Sequence, residues 1–314
     1  MIKELVRKII KGERISLAKA ISLVENCSAE SILLSEQIAP YLGRAHRLGI
    51  TGPPGVGKST LTNELAALMS RKKYPVGIVA VDPSSVFTGG AILGDRIRMQ
   101  KIGLDEGVFI RSMATRGCLG GLAEATTAAA DILDAAGKKY IIIETVGVGQ
   151  SEIEIFKAVD NTIVVLSPES GDAIQTMKSG LMEIADIIVV NKADRPQADI
   201  LVNTIKTTAE FSSKSKNIPI FKTVATQGAG VEELFNHLEN YFNSDDQARV
   251  FSEKRKYFFQ ERIKSLVLKK IGNDLWSNPE IQKLLESTTG KIQDGKNMGT
   301  KLVARIISLF KEKK

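Results

Sequence analysis

Along this chain, short, mostly apolar runs alternate with longer segments whose apolar residues recur every three or four positions. The runs lie near residues 48–51, 76–81, 108–111, 140–144, 162–167, 187–191 and 219–224. The clearest, Tyr140-Ile141-Ile142-Ile143 and Ile187-Ile188-Val189-Val190, have no polar alternation. Runs of that kind predict strands buried on both faces. The intervening segments read as helices, so the pattern predicts an α/β fold: a mostly parallel sheet covered by helices on both sides.

Both ends of the chain carry helical periodicity without strands. Ile2, Leu5, Val6, Ile9 and Ile10 form one apolar stripe. Ser16 is placed to cap a helix reaching about Cys27, and Ser28 another through Ile38, before Pro40. Near the other end Phe251, Tyr257, Phe258, Ile263 and Leu266–Leu268 make a helix apolar, and Asn273 to Pro279 reads as a break. Leu302, Val303, Ile306, Ile307 and Phe310 then form a further stripe. These boundaries divide the chain into an N-terminal helical extension (1–46), an α/β domain (47–245) and a C-terminal helical arm (246–314). The N-terminal helices are expected to pack on the α/β domain. The arm must bury its stripe on that domain or on a partner.

Composition narrows the class. With 314 residues and 43% hydrophobic content the chain can bury a full core. No apolar run approaches the ~18 residues that span a bilayer, and Met1–Lys8 mixes both charge signs without a signal-peptide core. Cys27 and Cys118 are too few and too far apart for a disulfide framework. The expectation is a cytoplasmic protein with no membrane partner. The net charge of +7 sits in the arm, where residues 251–314 hold 15 Lys and Arg against 7 Asp and Glu. Aromatic residues do not interleave with these cations, so a solvated helix face is expected rather than a nucleic-acid surface. His46 and His237 stand alone and read as structural.

The candidate chemistry lies after the predicted strands. Gly52-Pro53-Pro54-Gly55-Val56-Gly57-Lys58-Ser59-Thr60 fits the phosphate-wrapping pattern G-x-x-x-x-G-K-[ST]. Glycines let successive backbone N–H groups converge on phosphate oxygens, and the helix that follows presents its positive end. Lys58 suits the β- and γ-phosphates, and the Ser59 hydroxyl suits Mg²⁺. Asn191-Lys192-Ala193-Asp194 follows a strand. Its Asp194 carboxylate can accept from guanine N1–H and the exocyclic amine, donors that adenine lacks in that arrangement. Asn191 and the Lys192 stem would brace the loop and cover the ring. The expected ligand is GTP or GDP. After the last strand, the loop Val224-Ala225-Thr226 can meet the guanine edge through its backbone.

Three acids are candidates around the metal. Glu144 ends a strand, and Gly147 follows where a backbone N–H can sense the γ-phosphate. Asp82 ends another strand, and Asp95 lies in the Gly-rich stretch Thr88–Met99. A turn-forming role for both aspartates is the plain alternative. Val148 occupies the position where a glutamine often orients the attacking water, and a valine side chain has no hydrogen-bonding group. Slow intrinsic hydrolysis, raised by a partner, is therefore expected. Gln150 is a nearby candidate helper in the wrong register.

Taken with Val81–Ser85, Gly89–Met99, Arg111–Gly117 and Glu144–Glu152, these motifs resemble the MeaB/ArgK family. That family belongs to the signal-recognition-particle/MinD/BioD class of P-loop GTPases, and the likeness covers roughly residues 40 to 240. The resemblance implies a G-protein chaperone that gates cofactor loading and protects or reactivates an adenosylcobalamin-dependent acyl-CoA mutase, usually methylmalonyl-CoA mutase. It implies Lys58, Asp82 and Glu144 in catalysis, with Ser59, Asp82, Asp95 and Glu144 around Mg²⁺. It also implies a homodimer, built partly from the arm, and a partner-facing switch at Ser167–Lys178 in which Gln175 and Lys178 match the family's polar pair. Glu169-Ser170 departs from the Gly-rich run usual there. Two other readings share the motifs: a metallochaperone-like maturation GTPase, and a GTP-binding scaffold with little turnover.

Overall fold

The computed structural model describes residues 2–26, 28, 30–82, 100–114, 121–145, 159–169, 181–210, 218–289 and 298–311. Contacts divide the chain into two compact units, Met1–Arg255 and Lys256–Lys314.

The first unit is built on seven parallel strands: β1 (His46–Thr51), β2 (Val76–Asp82), β3 (Val108–Ala114), β4 (Tyr140–Thr145), β5 (Asn161–Leu166), β6 (Ile187–Asn191) and β7 (Ile220–Thr223). Their order across the sheet is β3-β2-β4-β1-β5-β6-β7. All seven predicted strands are present, each within a few residues of its apolar run. β1 lies at the centre, between β4 and β5, and the chain leaves it first toward one edge and later toward the other. In such sheets the gap at the reversal, beyond the carboxyl ends of the strands, is where ligands bind.

Helices close both faces. In chain order they are α1 (Ile2–Ile10), α2 (Arg14–Glu25), α3 (Glu30–Ile38), α4 (Lys58–Arg71), α5 (Gln100–Gly103), α6 (Gly121–Ala135), α7 (Leu181–Ile184), α8 (Ala198–Glu210) and α9 (Val231–Phe242). One face of the sheet packs against α4 and α9, where Leu61, Leu65, Leu234, Phe235 and Leu238 are fully buried against Leu48, Ile50, Ile142 and Ile163. The other face packs against α6 and the three N-terminal helices in one continuous cluster with Val79, Met113, Ile141 and Ile143. The α1 stripe of Ile2, Leu5, Val6 and Ile9 is buried there, so these helices are part of the main core. On the same side α8 seals β5 and β6 through Leu201 and Ile205. Alternation along each strand sends neighbours to opposite faces, which is why Ile141 and Ile143 join one cluster and Ile142 the other.

Neither predicted serine cap forms. Ser16 lies buried inside α2, whose first turn follows Glu13, and the Ser28 hydroxyl is buried with no hydrogen-bond partner among the described residues. Helix α2 is held by tertiary packing instead, including the ion pair of Glu25 with Arg111 on β3. His46 stacks on Phe242 with ring centroids 4.1 Å apart, and His237 lies against Phe221 at 5.1 Å.

The remaining helices are α10 (Asp245–Trp276), α11 (Pro279–Thr289) and α12 (Met298–Lys311). The predicted break narrows to Ser277 and Asn278, between α10 and α11. Among the described residues no helix is long and apolar enough to cross a membrane.

Candidate functional site

The loop after β1 lies at the centre of the sheet's carboxyl edge. Gly52 has φ of +144° and Gly57 has φ of +92°, a region side-chain-bearing residues avoid. Space is equally decisive. A Cβ on Gly52 would sit 2.0 Å from Val165 O, and one on Gly57 would sit 2.4 Å from Asn191 Nδ2. Only glycine lets the loop pass this close to β5 and β6. Gly57 then precedes α4, so the helix begins at Lys58 with its N–H groups toward the loop.

Lys58 is buried, 6% exposed, and donates from Nζ to Gly52 O and Pro53 O, each at 2.8 Å. The loop curls around its own lysine and holds a cation beneath its rim. Pro54 and Gly55 form the exposed tip, while Val56 is buried and Thr60 half-buried. Ser59 Oγ donates to Glu144 Oε1 at 2.5 Å. Glu144 is 6% exposed and lies just before the last residue of β4, opposite Ile50 of β1, a register that delivers the carboxylate to the loop. Next to it, Thr145 Oγ1 and Thr51 Oγ1 meet at 3.3 Å.

Asn191, at the end of β6, joins three loops. Its Nδ2 donates to Val56 O at 2.9 Å, and its Oδ1 accepts from Thr223 Oγ1 at 3.0 Å and Ala225 N–H at 3.1 Å. The side chain is buried, so each of these bonds is made away from water. Ala193 N–H donates to Thr223 O at 3.0 Å, fixing the same loop to β7. Lys192 takes φ of +57°. Its Nζ lies 2.9 Å from Glu169 Oε2, while Arg195 Nε approaches Glu169 Oε1 at 3.1 Å. The hydrogen bond from Lys192, then its charge and that of Arg195, hold the Glu169 carboxyl below its usual range. Asp194 is exposed, and its carboxylate makes no hydrogen bond or ion pair among the described residues.

The structure therefore brings together Gly52 through Thr60, Glu144, Asn191 through Asp194 and Val224 through Thr226. Asp82 ends β2, which pairs with β4 on the same edge of the sheet; its side chain is not described. Asp95, Gly147, Val148, Gln150, Gln175, Lys178 and both cysteines lie outside the described residues. Two contributors take a place the sequence does not suggest. Thr223 reads only as a strand end, and Glu169 reads as part of the partner-facing segment Ser167–Lys178 rather than as a partner of Lys192 and Arg195. Ala225 N–H, expected at the guanine edge, is engaged by Asn191.

Among the described residues no group of three or more His, Cys, Asp or Glu is placed to hold a metal. The donors present at the loop are oxygens: one hydroxyl and one carboxylate, in direct contact. That is the chemistry of a hard divalent ion sharing its shell with phosphate and water.

A family model described as methylmalonyl-CoA mutase-associated GTPase MeaB matches residues 17–280. A putative GTPase of Pyrococcus horikoshii is 48% identical over 271 residues, covering 85% of this chain and 86% of that protein. GTPase ArgK of Escherichia coli is 45% identical over 195 residues, 61% of this chain and 59% of its own length. A crystal structure described as a LAO/AO transport system kinase superposes with a TM-score of 0.70 at 25% identity, covering 99% of this chain and 97% of that one. With the family match spanning most of the sequence and the phosphate and base loops in one sheet edge, the chain belongs to the MeaB family of methylmalonyl-CoA mutase-associated GTPases.

Proposed function

We propose that this chain is a GTP-hydrolysing chaperone for an adenosylcobalamin-dependent acyl-CoA mutase of the methylmalonyl-CoA mutase type. In this reading it gates cofactor loading and protects or reactivates the mutase. The supporting observation is the Asn191 side chain, which ties the phosphate loop at Val56 to the base loops at Thr223 and Ala225. A protein that must sense both ends of one nucleotide needs such a rigid link.

The N–H groups from Gly52 to Thr60 receive the phosphates, and Lys58 exchanges its loop carbonyls for β- and γ-phosphate oxygens. Asp194 accepts from guanine N1–H and the amine, Lys192 covers the ring, and Val224–Thr226 borders the base. Gly147 contacts the γ-phosphate. Ser59 and Glu144, with Asp82 and Asp95, would hold Mg²⁺, which when bound neutralises charge on the β- and γ-phosphates. Within the chain's own machinery, Lys58 stabilises developing phosphate charge, while Glu144 and Asp82 orient the ligands around it. Val148 cannot orient water, so intrinsic turnover is slow and the mutase completes the site. Gln175 and Lys178 carry the nucleotide state to that partner.

The arm supports self-association. On α10, Tyr257, Phe259, Ile263, Val267, Leu268 and Trp276 are exposed, as are Val303 and Ile307 on α12. Apolar side chains displayed in such number mark an interaction surface, in this reading a homodimer interface.

The test is GTP turnover by the purified protein, alone and with methylmalonyl-CoA mutase. A slow rate that rises several-fold with the mutase, and vanishes in Lys58→Ala, is the expected result. GTP binding without any stimulation would overturn the mutase assignment.

A further inference from the structure

The base loop is fastened on two sides. Toward β7 it is held by Asn191 and by the Ala193 N–H bond to Thr223 O. Toward β5, among the described residues, it is held by side chains: Lys192 and Arg195 converge on the two oxygens of Glu169, just beyond the end of β5. The side chains are 34%, 56% and 48% exposed for Lys192, Arg195 and Glu169. The cluster is therefore wet at its edge, and its strength depends on ionic strength. One carboxylate is shared by two cations through separate oxygens, which fixes the direction of both side chains. For Lys192 that direction matters, because its four-carbon stem is the part that lies on a bound base while its ammonium is anchored elsewhere.

We propose that Glu169 is a positioning residue for guanine nucleotides: by bridging Lys192 and Arg195 it stretches the lysine stem across the base and slows nucleotide release. The inference rests on the guanine-site reading above. It adds a residue outside both nucleotide motifs, in a segment where the resembled family carries a more Gly-rich run. A glycine could not make this bridge. Without the bridge Lys192 samples many rotamers, and ordering it on each binding event costs affinity.

The test is release of fluorescent N-methylanthraniloyl-GDP, chased with excess unlabelled GDP, from wild type, Glu169→Gln and Arg195→Gln. At low salt, release from Glu169→Gln should be about three- to tenfold faster, the scale of one or two partly exposed ion pairs. Arg195→Gln should fall between the two. Added NaCl should accelerate release from wild type toward the variant rate and affect Glu169→Gln less. A residue that only supported the fold would shift melting temperature without changing this salt response. Equal release rates at low salt, or equal salt dependence in wild type and variant, overturns the proposal. If wild type itself fails to prefer GDP over ADP, the base-site reading falls. If wild type prefers GDP and the variants release it at the same rate, only the role of Glu169 falls.

Discussion

Asn191 is where one side chain carries the most structure. Alanine there would remove the partner of Val56 O, of the Thr223 hydroxyl and of Ala225 N–H, all at a buried position. Leaving such groups unpaired costs roughly 1–3 kcal/mol each before relaxation. We expect Asn191→Ala to lose about 2–4 kcal/mol in urea unfolding and to weaken GDP binding at least tenfold. Unchanged stability would mean that the three loops hold one another without it. Gly52→Ala tests the same region sterically. Its Cβ would meet a backbone carbonyl at 2.0 Å, so the loop must move away from β5, and loss of GTP binding by calorimetry is the expected result. His46 gives a pH signature. Burial first, then the charge of Lys139, push its imidazole down from 6.5 to about 4. Between those values the unfolded chain binds a proton that the folded chain does not, so this contribution to stability falls as pH drops through the window. His46→Phe should keep the stack on Phe242 and flatten the slope of urea midpoint against pH. An unchanged slope would assign it to other groups.

Elements differ in how far the sequence reveals them. The central strands were legible because fully buried strands leave unbroken apolar runs, as at Ile141–Ile143 and Ile187–Val190, whereas the edge strand β7, half-exposed and carrying Lys222, left a weaker one. The motifs at Gly52–Ser59 and Asn191–Asp194 stand out because phosphate and guanine demand particular residues at fixed spacing. What was not legible depends on partners far away in sequence. Ser16 looked like a cap because local spacing allows it, yet packing of α2 on α6 and β3 draws it into the helix. Nothing near Glu169 announces Lys192, and nothing near Asp160 announces Arg255. That last pair anchors the amino-terminal part of α10: Arg255 Nε and Nη2 reach the two Asp160 oxygens at 2.8 and 2.6 Å, and its guanidinium also donates to Gly43 O and Ala45 O. Asp160 is buried, so removing the cation leaves its carboxylate with the backbone N–H of Arg47 as its remaining hydrogen-bond donor among the described residues. Arg255→Leu should lower stability by about 1–3 kcal/mol, discounted because the arginine is 36% exposed. Proteolysis should then cut sooner near residues 243–255. A protease pattern like that of wild type would show that α10 is held by something else.

At the scale of the α/β unit, the parallel sheet places its candidate nucleotide chemistry at one end and the ion-pair cluster around Arg47 at the other. Arg47, Asp131, Asp134 and Asp160 tie β1, α6 and the start of β5 together at the amino edge. The carboxyl edge is thereby left to Lys58, Ser59, Glu144, Asn191 and Asp194. In the proposed function this edge reads guanine and couples it to the phosphates, and Asp194 is the residue on which that reading depends most. Its carboxylate can only accept hydrogen bonds, matching two guanine donors, whereas the asparagine amide can also donate to the carbonyl that xanthine carries in place of the amine. The decisive measurement is calorimetric affinity for GDP, ADP and xanthosine diphosphate in wild type and Asp194→Asn. Wild type should prefer GDP, and the variant should lose about a hundredfold or more in GDP affinity while gaining xanthosine diphosphate. Equal binding of GDP and ADP by wild type, or a variant with unaltered preference, would contradict the account.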